Sequence, residues 1–408
     1  MTTFDFIKKE QERQDSYVEL IASENFVSDN ILRAVGSCLT NKYAEGYPER
    51  ERYSGRKGRY YGGCQVVDEL EEYCCDKWRE VFKTNYHVNV QPHSGTQANI
   101  SAYFSILKPG DMILSMSLAN GGHLSHGSPV NISGKIFKHE EYGVDKNGFI
   151  DYEDLEVKIR YYHPQLILAG ASAYSRIIDF KKIRKIIDSI RLEGIIERKE
   201  DYRPYFMVDM AHIAGLVATG FHPSPFGYAD IITTTTHKTL RGTRGGLIFC
   251  RPELAKKIDG AVFPANQGGP LMHIIAGKAV TAEEALCPEF HDYIENVVKN
   301  TGAMCEEFKR LGYKIITNGT DNHLFLIDLT YNYPNLTGRE IQEELDKHHI
   351  TLNKNCIPDE KRSPMETSGL RIGCAAMTTK GWTSQDFILI ARKIDEIIKE
   401  LDKRKNLK

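Results

Sequence analysis

The apolar positions of this chain repeat with two periods, and the change from one to the other marks its elements. Val67, Leu70, Cys74, Trp78, Val81 and Phe82 recur at three- and four-residue spacing. That spacing predicts an amphipathic helix over 64–82. Short apolar or β-branched runs at 88–90, 112–115, 134–138, 165–169, 205–209, 229–234 and 246–250 predict strands. Helical patterns fall between them, near 28–38 after Ser28, from 95 to about Leu107, and at 151–162 and 179–198. Alternation of this kind predicts an α/β fold with a mostly parallel central sheet and crossover helices. After Pro270 the rhythm changes. Two long amphipathic helices, 271–286 and 289–311, lead into strands at 313–317, 323–328 and 350–353, with helices at 337–348 and 384–402. The expected organisation is a polar arm (1–25), a large domain (26–290) and a smaller C-terminal α+β domain (291–408). One stretch, 41–63, has no period and is rich in Gly, Tyr and Arg, so it reads as a long loop.

Composition narrows the field. The chain has 408 residues, 41% of them hydrophobic, enough for a large core. A formal net charge of −2 gives no reason to expect nucleic acid or a membrane surface as partner. No apolar run approaches the ~18 residues of a membrane-spanning helix. The opening MTTFDFIKKEQERQDS reads as neither a signal nor a transit peptide. Nine cysteines without a CxxC pair predict reduced thiols and a cytoplasmic setting.

The chemistry concentrates at IITTTTHKTLRGTRGG, 231–246. A buried run ends there in His237 and Lys238, then opens into a glycine-rich turn. A desolvated lysine loses part of its basicity and can attack a carbonyl. Upstream, YFMVDMAH places Asp209 at the end of another apolar run, with His212 just beyond. Strand ends of open α/β sheets are where ligand groups gather. A carboxylate there can hold a proton on the ring nitrogen of pyridoxal phosphate (PLP). Ser94, Gly95 and Thr96 lie between a predicted strand and a helix start, a position suited to an anion. No dinucleotide or nucleoside-triphosphate motif is present. His123 could stack on a planar ring, and Arg371 on a short strand could clamp a carboxylate. No histidine pair has a convincing zinc pattern.

Taken together, LIASEN, LTNKYAEGYP, RYYGG, VQPHSGTQAN, GGHLSHGSPVN, SAYSR, VDMAHIAGL, TTTTHKTLRG, FPANQGGPLMH, TDNHLFLIDL, NKN and SGLRIG, in this order, resemble the serine hydroxymethyltransferase family of fold-type-I PLP enzymes. The resemblance implies transfer of the serine hydroxymethyl group to tetrahydrofolate, giving glycine. It implies that Lys238 carries PLP and that Asp209 pairs with the pyridine nitrogen. Ser94, Gly95 and Thr96 would hold the phosphate beside His237, His123 would stack on the ring, and Ser172 and His212 would meet its phenolic oxygen. Ser23 and Arg371 would hold the amino-acid carboxylate. Tyr43, Gly268 and Gly269 would reach the phosphate of a neighbouring subunit, with Tyr61 and the proton-transfer group Glu45 also crossing, in a homodimer or dimer of dimers. Leu118, Gly122, His123, Leu124, Phe263, Asn355, Ser363, Pro364 and Met365 would meet the folate. The chain departs from the family pattern by ten residues at 49–58 where two are usual, by Thr243 for proline, and by Met365 for phenylalanine. A folate-independent PLP aldolase or transaldolase is the alternative these departures raise. A non-catalytic homologue is disfavoured by intact Lys238, Asp209 and Arg371.

Overall fold

The computed structural model of the chain describes residues 1–48, 58–196 and 202–407. The predicted 49–58 insertion therefore lies, except for Gly58, outside the described residues.

Seven strands form the central sheet. In spatial order they are His87–Asn89, Gly246–Cys250, Ile231–Thr235, Tyr205–Asp209, Leu166–Ala169, Met112–Met116 and Lys138–Tyr142. The last five are mutually parallel; Gly246–Cys250 runs antiparallel to Ile231–Thr235 and to His87–Asn89. Every residue of Ile231–Thr235, Leu166–Ala169 and Gly246–Cys250 is buried, which explains their unbroken apolar and threonine-rich runs. The run predicted as a strand at 134–138 is instead a short helix, Ile132–Ile136. The Asn131 side chain accepts the Ser133 amide at 3.0 Å and starts that helix. The true strand, Lys138–Tyr142, is an edge strand of sequence KHEEY, and its polarity hid it.

A four-stranded antiparallel sheet, ordered Asn353–Asn355, Gly369–Gly373, Leu324–Asp328 and Lys314–Ile315, lies in the C-terminal part. Its core gathers Phe308, Phe325, Leu345, Ile372 and Phe387, and takes in Leu20 from the other end of the chain. The helix Pro288–Arg310 serves both halves. Phe290, Tyr293, Ile294 and Val297 pack in the core around the central sheet, while Met304, Cys305 and Phe308 pack in the C-terminal one.

The polar arm is a helix, Thr3–Ser16, with a Thr2/Asp5 capping box and no buried residue. Phe4, Phe6 and Ile7 are exposed along it. The chain then enters the fold through Val18–Glu19, paired in parallel with Ile350–Thr351.

The aperiodic loop has a rigid stem. Gly46 and Arg59 form an antiparallel bridge, and the Tyr60 amide donates to the Glu45 carbonyl at 2.9 Å. The Arg59 side chain, 2% exposed, pairs with Asp68 at 2.7 Å and Glu71 at 2.8 Å. It also donates to the carbonyls of Ala44 and Gly46, on either side of Glu45, each at 2.8 Å. Burial pushes the Glu71 carboxyl up, against the pull of Arg59. Removing the guanidinium would leave that carboxylate without its cation. Arg59→Met is therefore expected to lower the unfolding free energy by about 3–5 kcal/mol, measured by urea titration.

Candidate functional site

Two neighbouring strands bring Asp209 and Lys238 to the same edge of the sheet. Tyr205–Asp209 and Ile231–Thr235 are in parallel register, with Asp209 opposite Thr233. Asp209 closes its strand, and Lys238 stands three residues past the end of the other, so both sit at the carboxyl edge of the sheet.

Asp209 is held by three donors. Its Oδ2 accepts from Asn99 Nδ2 at 2.9 Å and pairs with His126 Nε2 at 3.0 Å, and its Oδ1 accepts the Ala211 amide at 3.0 Å. Asn99 is fixed in turn, because its own Oδ1 accepts the Thr233 hydroxyl at 2.6 Å. His126 Nδ1 accepts the His123 amide at 3.4 Å, which assigns the ring proton to Nε2, facing Asp209. Burial alone would raise the Asp209 carboxyl. The hydrogen bond from His126, the nearby His123 and the hydrogen bond from Asn99 outweigh it and hold the group well below the usual carboxylate range.

Among the described residues two lysines are buried, and their surroundings differ. Lys278, 1% exposed, donates to the carbonyls of Val90, Pro92 and Gly246 at 2.6, 2.9 and 2.9 Å. All three of its donors are used, and they tie the loop carrying Ser94 to the glycine turn. Lys238, 9% exposed, has no such hold: among the described residues its ammonium forms no hydrogen bond or ion pair. Burial lowers its pKa to about 8, partly opposed by Asp209 and reinforced by Arg371 and Arg244. An unsecured amine of lowered basicity is a nucleophile in waiting.

Beside it stands an anion cradle. The helix Gly95–Ile106 begins at Ser94, whose hydroxyl accepts the Gln97 amide at 3.2 Å. Its first turn leaves the amides of Gly95 and Thr96 without intrahelical acceptors. A Cβ on Gly95 would come within 2.6 Å of the Thr235 methyl, so only glycine lets the two elements close here. His237 Nδ1 is buried without a partner, and burial followed by the charges of Lys238 and Arg244 lowers its pKa to about 3.

Across the cavity, Arg371 donates to the Ser172 carbonyl at 2.9 Å and to Asn353 Oδ1 at 2.6 Å. Its Nε is buried and unpartnered, and no carboxylate pairs with it among the described residues. Burial brings its pKa down to about 10. Arg371 lines the cavity, and a buried guanidinium with no carboxylate partner of its own is suited to a ligand carboxylate.

These groups line one cavity of about 410 Å³. It brings together eleven of the sequence-predicted residues: Ser23, Ser94, Gly95, Thr96, His123, Ser172, Asp209, His212, His237, Lys238 and Arg371. It also holds Asn99, His126, Thr235 and Arg244, to which sequence reasoning gave no role in cofactor binding. His126 lies three residues after His123 in GGHLSHG, a spacing that could have flagged a paired function. Burial lowers the His123 pKa to about 4, so its ring is neutral at physiological pH.

The other predicted residues lie outside that lining. Tyr43, Glu45, Tyr61, Gly268 and Gly269 form a separate cluster. The rings of Tyr43 and Tyr61 are 4.9 Å apart. The Tyr43 hydroxyl is 3.5 Å from Glu45 Oε1, and Gly268 and Gly269 pack against Glu45 and Tyr43. Both tyrosines are exposed, and Phe263 packs against Tyr60 on the same side. Among the expected folate residues, Leu118, Leu124, Ser363, Pro364 and Met365 are exposed, and Asn355 is half-buried on its strand. Gly122 is buried where a Cβ would meet the Met116 carbonyl at 2.3 Å. The unusual Thr243 is accommodated: the amide that proline would lack points to the Thr281 hydroxyl at 3.4 Å.

A planar phosphorylated pyridine aldehyde fits these features. The anion cradle, the spare histidine nitrogen, the unpaired amine and the ionised carboxylate correspond to its phosphate, aldehyde and ring nitrogen. The fold and the site define a PLP-dependent enzyme of fold type I. A sequence model of the serine hydroxymethyltransferase family matches residues 1–394, and the chain belongs to that family. It is thus a glycine hydroxymethyltransferase, with PLP as cofactor and tetrahydrofolate as co-substrate.

Proposed function

We propose that the Lys238 cavity is the catalytic centre and that a second copy of the chain completes it. The reaction passes the hydroxymethyl carbon of serine to tetrahydrofolate, yielding glycine, 5,10-methylenetetrahydrofolate and water. PLP supplies an aldehyde that takes an amine and a ring that accepts the electrons of the broken Cα–Cβ bond. The chain's residues bind, orient and handle protons around it. Lys238 provides the amine that holds the aldehyde between turnovers. Asp209, kept ionised by His126 and Asn99, retains the proton on the ring nitrogen. Ser94, Gly95 and Thr96, with His237, receive the phosphate, and neutral His123 covers the ring. Ser172 and His212 face its phenolic oxygen. Arg371 and Ser23 take the carboxylate of serine or glycine. Leu118, Gly122, Leu124, Phe263, Asn355 and the 363–365 segment form the folate surface.

The observation carrying the composite site is the gathering of Tyr43, Glu45, Tyr61, Gly268 and Gly269 in a cluster outside the cavity lining. A half-buried carboxylate and two exposed tyrosines there suit a site on another copy better than their own. Glu45 of the partner subunit would then handle the proton of the serine hydroxyl, with Tyr61 of the partner subunit near the carboxylate. The arm helix, with Phe4, Phe6 and Ile7 uncovered, would wrap the same partner. The assembly is a homodimer or dimer of dimers, and nine free thiols favour a reducing cytoplasm. The two cores, joined through Pro288–Arg310, would serve as the large and small domains.

Mixed dimers test this. Chains carrying Glu45→Gln and chains carrying Lys238→Met are each expected to be nearly inactive. Co-expressed, they should regain activity, because one site of each mixed dimer receives both intact residues. Failure to regain activity in a verified mixed dimer would overturn the composite site.

A further inference from the structure

His323 has no role in the site assigned so far, yet it touches a residue that does. It lies just before the Leu324–Asp328 strand and is completely buried. Its Nε2 is 3.2 Å from Nδ1 of His212, with the ring centroids 5.4 Å apart. The other nitrogen of His323, Nδ1, has no partner. Burial, then the charges of Arg371 and Lys238, lower the His323 pKa to about 3, and burial likewise holds His212 well below the usual histidine range. Burial thus favours the neutral form of both rings, and a hydrogen bond between two neutral rings uses a single proton.

The positions of the two rings leave little freedom. The His212 carbonyl accepts the Thr239 hydroxyl at 2.9 Å. On the other side, the Cys374 amide donates to the His323 carbonyl at 3.1 Å, and Asn322 donates to the Tyr174 carbonyl at 3.0 Å. Arg176 pairs with Asp321 at 2.7 Å. The segment bearing His323 is thus clamped onto residues 174–176.

A neutral imidazole has one donor and one acceptor. His212 lines the cavity, beside Ser172 and Arg371, where an anionic group is expected. To donate there from Nε2 while neutral, its Nδ1 must carry no proton, which a hydrogen bond donated to that nitrogen enforces. Among the described residues, the group bonded to that nitrogen is His323 Nε2. We propose that His323 is a positioning residue: its Nε2–H donates to His212 Nδ1 and fixes His212 as a neutral Nε2–H donor toward the ligand's oxygens. The lone pair of His323 Nδ1 is then left facing the protein interior, a lesser cost than a buried orphan N–H. The C-terminal half thereby sets the proton arrangement of a histidine in the central-sheet half. The proposal rests on reading the cavity as the PLP and amino-acid site.

Neutron diffraction from crystals of the deuterated holoenzyme with glycine tests it directly. Deuterons are expected on Nε2 of both His212 and His323; a deuteron on His212 Nδ1 would overturn the proposal. Glycine titration of the holoenzyme by calorimetry gives a second test. His323→Leu should retain PLP yet bind glycine about tenfold more weakly, whereas His323→Gln, whose amide can still donate, should stay close to wild type. Unchanged glycine affinity in a folded His323→Leu would also overturn it, and should that variant not fold, the neutron result stands by itself. Wild-type protein that bound neither PLP nor glycine would instead sink the reading of the cavity.

Discussion

Lys238→Met is expected to abolish turnover and, in cofactor-free protein, to raise stability. The first effect follows from losing the amine that holds the aldehyde, worth on the order of 10³ in rate. The second follows from burial. In the unfolded chain this amine keeps its ordinary pKa of 10.5, whereas in the fold it falls to about 8. Between those values the unfolded chain binds a proton that the native protein does not, so native stability rises with pH across the window. Below about pH 8 the cost of burying the cation is felt in full, roughly 3 kcal/mol at neutral pH. Methionine has similar length and no charge. The variant should therefore be the more stable at pH 7, with the difference fading as pH rises toward 10.5. Urea titrations of both cofactor-free proteins at several pH values check this. Equal stability at pH 7 would mean that the amine is solvated or paired. The same substitution at Lys278 should do the opposite, because three carbonyls would lose their donor.

Asp209→Asn is expected to lower turnover by about 10²–10³, the usual effect of losing a preorganised charge that acts where the reaction develops its own. It should also destabilise the fold by about 1–3 kcal/mol. The carboxylate accepts from His126, Asn99 and the Ala211 amide through its two oxygens. An asparagine has a single acceptor oxygen. Whichever way it turns, its NH₂ faces one of those donors. Steady-state kinetics and thermal unfolding of one preparation measure both effects. Full turnover in a protein that retains PLP would remove Asp209 from the mechanism.

The placement of Asp209 and Lys238 in one cavity was legible because each lies at or just past the end of a buried run, and a strand end is a position that spacing can locate. The amphipathic helices were legible for a similar reason, since their cores lie along one face. Other features were not, for physical causes that differ. The Lys138–Tyr142 strand lies at a sheet edge, where polarity carries no alternation of one buried face. The arm forms a helix although it buries nothing, through its end cap and local pairs such as Arg13 with Glu10 at 2.8 Å. Asn99 and His126 escaped because they act on Asp209 rather than on a ligand, across separations of 110 and 83 residues. His323 lies one step further removed. Whether Glu45 and Tyr61 serve their own cavity or another's is a question of assembly, which residue order does not encode.

The entry strand has a consequence for biosynthesis. Val18 pairs with Ile350, the Leu20 amide donates to the Thr351 carbonyl at 2.8 Å, and the Leu20 carbonyl accepts the Gly373 amide at 2.9 Å. Residues 18–20 thus wait for partners made more than three hundred positions later. Domains otherwise tend to fold from the N-terminus as they are made. Here the C-terminal core can seal only after residues 350–373 have been made, so until then a growing polypeptide carries Leu20 without its native neighbours.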